Sequence, residues 1–172
     1  MSRRVRAGVA AALAAIVGAG VVWWWLARSE TTVAVYFIRA SDGGDTLEDV
    51  SRRVRGRSAH ARLRGALQAL LSGPTADERA RGLTTAIPSG TRLRGLRIED
   101  GMVVVDLSGE VASGGGTASM LGRLWQIVYT ATQIPTVPRV RLLIDGQARE
   151  ALGGEGVLID RPLSRPPSLP EF

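Results

Sequence analysis

The sequence contains no cysteine and no lysine, and its single histidine is His60. Without cysteine the chain forms no disulfide and has no thiol nucleophile, no cysteine-based metal site and no attachment point for a bacterial lipid anchor. One histidine excludes a metal site built from several imidazole groups, and no Ser-His-acid arrangement occurs at a recognisable spacing. We therefore expect no catalytic residue, no metal and no cofactor, and we expect that the protein is not an enzyme.

Aromatic residues are scarce beyond the N-terminal segment, where Tyr36, Phe37, Trp125, Tyr129 and Phe172 are all that occur. Proteins that bind single-stranded nucleic acid combine stacking aromatic rings with a large basic excess. All 22 basic residues are arginine, and four of them flank the N-terminal apolar segment. The rest of the chain therefore contains 18 arginines and 16 acidic residues. This balance argues against nucleic acid as a partner, and we expect no small-molecule substrate either.

An uncharged apolar run at residues 8–27 predicts a transmembrane helix, because about 20 apolar residues span a bilayer. Three arginines within residues 1–7 place the basic N-terminus in the cytoplasm. The alternative is a cleaved signal peptide, but Trp25 and Leu26 are poor residues for cleavage after Ala27, and an earlier cut after Ala19 leaves a short apolar region. We expect an uncleaved signal anchor that crosses the cytoplasmic membrane once, with the following domain outside the cytoplasm.

The exported part alternates between strand and helix patterns. Residues 31–38 and 47–54 predict two strands, and Ser58 is placed to cap an amphipathic helix that Gly73-Pro74 ends. Thr117 is placed to cap a second, more apolar helix after a flexible glycine loop, and residues 137–144 predict another strand.

The most distinctive stretch is a hairpin at residues 93–108. Asp100-Gly101 between two β-type runs is typical of a two-residue turn, because both residues need positive φ. The turn sets three cross-strand pairs: Ile98 with Val103, Leu96 with Val105, and Leu107 with Arg94. One face of this hairpin is apolar and needs cover, which the two helices are suited to provide.

The element order β, β, α, β, β, α, β predicts an α+β domain over residues 31–160. We expect a two-layer sandwich, in which one mixed or antiparallel sheet packs against the two main helices. Residues 161–172 contain four prolines and predict an extended, loosely held tail.

In this order and spacing the residues resemble the GerMN domain of GerM-type sporulation and germination proteins. The residues that carry the resemblance are Ala66, Leu67, Leu71, Gly73, Pro74, Ile87, Pro88, Gly90, Thr91, Asp100, Gly101, Val105, Asp106, Leu107, Ser108, Ile127, Val128, Tyr129, Thr130, Val140, Asp145 and Gly146. The resemblance implies a small α+β domain similar to the ring-building motifs of secretion-system and sporulation-channel proteins. It also implies an interaction module outside the cytoplasmic membrane, without catalytic residues. GerM-type proteins resemble lipoproteins with tandem domains, whereas we expect one domain and no lipid here.

A basic run continues from the second predicted strand into the first helix. Its arginines are Arg52, Arg53, Arg55, Arg57, Arg62 and Arg64. Such a cluster can contact anionic lipid head groups, cell-wall polymers or an acidic protein partner. The simpler interpretation is a solvated strand end and outer helix face, and the sequence leaves both open.

These observations predict a non-catalytic, membrane-anchored module that contacts an envelope protein or a second copy of itself. The alternative is a cell-wall-acting envelope enzyme or a carbohydrate-binding protein. A carbohydrate site needs an exposed groove that presents an aromatic ring, whereas an interaction module offers a sheet edge or face without a deep polar pocket.

Overall fold

The computed structural model describes residues 30–41, 43–153, 157–170 and 172. The predicted anchor at residues 8–27 and the basic N-terminus lie outside the described residues. Within these described ranges, no helix is both long and apolar enough to span a bilayer.

The described part forms nine strands, three α-helices and one short 3₁₀ turn. In chain order they are β1 (Glu30–Arg39), β2 (Thr46–Arg55), α1 (Ala59–Leu71), α2 (Ala76–Ala80), β3 (Leu83–Thr84), β4 (Leu93–Glu99), β5 (Met102–Leu107), the 3₁₀ turn (Gly109–Ala112), α3 (Thr117–Ala131), β6 (Arg139–Ile144), β7 (Ala151–Leu152), β8 (Val157–Leu158) and β9 (Leu163–Ser164). The predicted α+β class is confirmed.

The strands lie in separate sheets, whereas the sequence interpretation combined them in one. An antiparallel sheet has the order β2-β1-β3, and a mixed sheet has the order β4-β5-β6-β9. Strands β5 and β6 are parallel and are connected through α3. β7 and β8 form a small pair of their own. The expectation of one sheet was wrong: beyond the short pairing with β3, side chains of α3 and of Gln133 occupy the edge of β1 where another strand would bind.

Helix α1 has the ends that the sequence predicts. The Ser58 hydroxyl accepts a hydrogen bond from the backbone N–H of Ala61 at 3.2 Å, and Gly73 follows the last turn with φ of +75°. Its apolar stripe enters the core, where Leu63 and Leu67 are fully buried. The helix also lies directly on β2, since a Cβ on Gly65 would meet Val54 Cβ at 2.7 Å.

Helix α3 is buried along most of its length and begins at Thr117, with Gly116 as its N-cap and no side-chain cap bond. The expected Thr117 cap is therefore replaced by a glycine cap.

The glycine loop before the helix, which was expected to be flexible, is held by Arg123, a residue only 2 % exposed. Its guanidinium donates to the carbonyls of Ala86, Val111, Ser113 and Gly114. Burial lowers the pKa of Arg123, because the charged form is desolvated.

The hairpin of β4 and β5 turns at Asp100 and Gly101, both at positive φ, and two of its three predicted pairs are confirmed. The third differs, because a bulge between Leu93 and Gly95 shifts the register. Leu107 therefore pairs with Leu93 instead of Arg94, which brings two apolar residues together at that end of the hairpin.

The C-terminal segment is part of the fold, so the expectation of a loose tail was wrong. Strand β9 pairs with β6, and the Arg165 guanidinium carbon lies 5.2 Å from the ring centroid of Tyr36 and 4.9 Å from that of Tyr129. Phe172 exchanges two backbone hydrogen bonds with Asp45, at 3.0 and 3.2 Å. Cation–π and ladder contacts of this kind hold an extended segment against its sheet.

Candidate interaction surface

Four arginines of the predicted basic run line one groove between β2 and α1. Arg52, Arg53 and Arg55 belong to the strand, and Arg64 belongs to the helix one layer above it. The groove has a volume of about 400 Å³, and no acidic residue is among those that line it. We refer to it as the arginine groove.

Arg52 has a structural role, because it forms an ion pair with a buried glutamate. Two of its guanidinium nitrogens donate to the two carboxylate oxygens of Glu78, each at 2.5 Å, and Glu78 is buried. The Arg52 pair, together with hydrogen bonds from Thr75, lowers the pKa of Glu78 to about 2. The carboxylate therefore fixes α2 to β2, and the charge of Arg52 is neutralised within the chain.

The remaining arginines of the run do not all lie in the arginine groove. Arg53 and Arg55 are exposed on β2, and Arg64 is half-buried. Arg57 is exposed in the loop before α1, and neither it nor Arg62 lines the groove. Nε of Arg62 is the one buried side-chain nitrogen or oxygen without a hydrogen-bond partner among the described residues.

One edge of β1 is closed by two side chains of α3 and by Gln133, which lies just beyond the end of that helix, and the sequence interpretation did not predict this. Gln133 accepts from the Ala34 N–H at 2.9 Å and donates to its carbonyl at 3.0 Å. Thr130 accepts from the Tyr36 N–H at 3.2 Å, and Gln126 donates to the Tyr36 carbonyl at 3.0 Å. These three polar side chains make the bonds that a neighbouring strand would make. We call this side of β1 the closed edge.

Among the described residues, no comparable set of side chains covers the outer edge of β2. β2 is the terminal strand of its sheet, and Ala34 and Tyr36 lie opposite Ser51 and Asp49. Because the backbone groups of Ala34 and Tyr36 face α3, the geometry of an antiparallel pair turns those of Ser51 and Asp49 away from β1. We call the outward side of residues 49–55 the open edge. Within the described part its one backbone contact from a side chain is Arg52 Nη1, 3.4 Å from the Ser51 carbonyl.

The other predicted polar features have structural surroundings. His60 Nε2 lies 3.1 Å from the Leu96 carbonyl on the edge of β4. No group of three or more histidine or acidic residues in the described ranges is placed to hold a metal ion. The arginine groove and a second groove of about 490 Å³ between α1, α2 and β3 have no aromatic side chain in their walls.

The fold and this surface define a small α+β domain with an exposed strand edge and a basic groove. A family model described as sporulation and spore germination, Germane, matches residues 34–150. The chain therefore belongs to the Germane (GerMN) family, as its residues suggested. No curated protein matches the chain.

Similar solved structures include proteins from two bacteria. The tandem GerMN domains of the sporulation protein GerM from Bacillus subtilis are 22 % identical, with a TM-score of 0.68 over 82 % of this chain and 48 % of that chain. The first GerMN domain of GerM alone gives 22 % identity and a TM-score of 0.60, over 78 % of this chain and 98 % of that one. A putative lipoprotein from Clostridium perfringens gives 23 % identity and a TM-score of 0.58, over 80 % and 89 %. This chain thus spans about half the length of the tandem structure.

Proposed function

We propose that this protein is a non-catalytic GerMN module, held outside the cytoplasm by an N-terminal membrane anchor, that binds an envelope protein through its basic surface. The observation that carries the proposal is the arginine groove beside the open edge of β2. The arginines of the groove supply positive charge, and the edge supplies backbone donors and acceptors. A polypeptide segment with acidic side chains complements both.

The sharpest test of a protein partner is to substitute two arginines of the groove. Replacing Arg55 and Arg64 together by Gln removes two charges without touching the Arg52–Glu78 pair. We expect the double variant to lose most cross-linking to an acidic envelope protein in intact membranes, and the remaining cross-linking to depend less on salt.

The matched control replaces Arg97 and Arg139 by Gln, since both are exposed on the four-stranded sheet, away from the groove. This control has the same net charge as the test variant and should cross-link like the parent. Equal behaviour of the two variants would contradict a role for the groove.

The proposed topology has a separate test. An export-dependent reporter fused after Phe172 should be active, because three arginines precede the apolar run. The mass of the mature protein should include residue 1 or 2. An inactive reporter would contradict the exported position, and a mature chain that starts near residue 20 or 28 would contradict the uncleaved anchor.

A further inference from the structure

We propose that two copies of this chain pair through the open edge of β2, antiparallel, about a two-fold axis at Ser51. The result is a six-stranded sheet with the order β3-β1-β2-β2-β1-β3 across the two copies. The inference deepens the proposed function by naming a second copy as one partner. It rests on that function for the shared membrane, which raises the effective concentration of the copies.

Backbone geometry restricts how a second strand can bind. Ser51 and Asp49 turn their N–H and C=O groups outward, and by the alternation of a strand so do Arg53 and Arg55. In an antiparallel pair, outward-facing residues of one strand lie opposite outward-facing residues of the other. Each odd-numbered residue of β2 must therefore face an odd-numbered residue of the second copy.

The charges of β2 are separated along its length. Its acidic residues are Glu48 and Asp49 in the first half, and its basic residues are Arg52, Arg53 and Arg55 in the second half. Antiparallel pairing of two identical strands places the acidic half of each against the basic half of the other. Parallel pairing would place like charges together, which is destabilising.

We place the two-fold axis at Ser51 because two charged side chains of β2 have no ion-pair partner among the described residues. Within the described part Glu48 pairs with Arg39, and Arg52 pairs with Glu78. Asp49 and Arg53 are exposed and form no ion pair with described residues.

An axis at Ser51 puts Asp49 of each copy directly opposite Arg53 of the other, so both free charges gain a partner. An axis at Arg52 would instead oppose two arginines. The axis at Ser51 is the one register that places Asp49 opposite Arg53.

The absence of cysteine makes this register directly measurable. Residues opposite each other in a hydrogen-bonded antiparallel pair have Cα atoms about 5.5 Å apart, which is within the range that a disulfide bridges. The full-length Ser51→Cys variant in membranes should form a disulfide-linked dimer on mild oxidation. The control variant Ser89→Cys, which is exposed in the loop before β4, should remain monomeric.

Charge reversal tests the pairing of Asp49 with Arg53. Asp49→Arg alone and Arg53→Asp alone each put like charges opposite each other twice, and either should lower the Ser51→Cys dimer yield about tenfold. The combination of both changes restores two opposite-charge pairs and should recover the parental yield. Reversal of both Arg97 and Glu99, an exposed intrachain pair on β4, is the control and should leave the yield unchanged.

Two results would overturn the inference. One is equal oxidation of the Ser51 and Ser89 variants, and the other is a double charge reversal that stays as weak as the single ones. Neither change alters Arg55 or Arg64, so loss of the self-pairing with retained cross-linking to an envelope protein would leave the proposed function standing. Dimers that persist while cross-linking to an envelope protein is lost would leave the self-pairing standing and contradict the proposed function.

Discussion

Two stretches of strand edge in the three-stranded sheet, one on β1 before its short pairing with β3 and one on β2, illustrate opposite ways to treat backbone groups that no strand pairs. At the closed edge of β1, Gln126 and Thr130 of α3 and Gln133 just beyond the helix reach the backbone and make its hydrogen bonds. At the open edge of β2, exposed charges stand beside outward-facing backbone groups. Edge strands are a risk of unwanted pairing that proteins usually blunt. The contrast shows that the first edge is a structural element of the core, whereas no described residue satisfies the second in the same way.

The largest effect should follow from removing a side chain that makes the closed edge. Gln126 is fully buried and serves three groups: it donates to the Tyr36 carbonyl and accepts from the Ala86 N–H and the Thr85 hydroxyl. Gln126→Leu keeps the size of the side chain but leaves the Tyr36 carbonyl and the Ala86 N–H without their hydrogen-bond partner. Each unsatisfied group should lower the free energy of unfolding by about 1–3 kcal/mol.

Urea unfolding should therefore give a clear loss of stability for Gln126→Leu. The matched control is Gln68→Leu on the exposed side of α1, which should stay within about 0.5 kcal/mol of the parent. Similar losses for the two variants would mean that α3 does not make the closed edge.

A smaller effect is expected at the pair that neutralises Arg52. Glu78→Gln removes charge-assisted bonds and should cost about 2 kcal/mol at pH 7. The folded-state pKa of Glu78 is about 2, below its ordinary 4.5, so its stabilisation is fully present above about pH 4.5. It is lost as the pH falls from there towards 2.

The difference in unfolding free energy between parent and Glu78→Gln should therefore shrink as the pH is lowered from 5 to 2. Unfolding curves measured across this range check the sign. A difference that grows towards acid would contradict the proposed pairing of Arg52 and Glu78.

The smallest effect on stability should come from the open edge. Arg53 is exposed and makes no ion pair with described residues, so Arg53→Gln should change the unfolding free energy of the monomer by no more than about 0.5 kcal/mol. Thermal unfolding at a concentration too low for association is the measurement. A loss comparable to that of Gln126→Leu would mean that this edge is also structural.

Local signals in the sequence predicted the elements well, and long-range contacts explain what they missed. The Asp100-Gly101 turn and the Ser58 cap depend on neighbours within a few residues, so their chemistry is visible in the sequence. The closed edge depends on Gln126, Thr130 and Gln133, whose backbone partners lie 90 to 99 residues away. The i, i+4 and i+7 spacing of these three residues, two on α3 and one just beyond it, was its one signal.

A contact role for the basic run stays a prediction, and four of its six arginines line the arginine groove. Composition gave no means to separate Arg52, which Glu78 neutralises, from Arg53, which remains exposed. Glu78 lies 26 residues beyond Arg52, on a helix of five residues. The docking of the C-terminal segment was missed for the same reason, because its proline content describes the local backbone and not its distant partners.

The closed edge also sets an order of events during synthesis. The β1–β2 hairpin contains only local contacts and can form as soon as residue 55 is available, whereas the bonds from Thr130 and Gln133 close loops of more than 90 residues. Contacts of such sequence separation form late and slow the folding of a domain. This stretch of the β1 edge therefore lacks these bonds until residue 133 has been made, and an unpaired strand edge in a nascent chain favours aggregation.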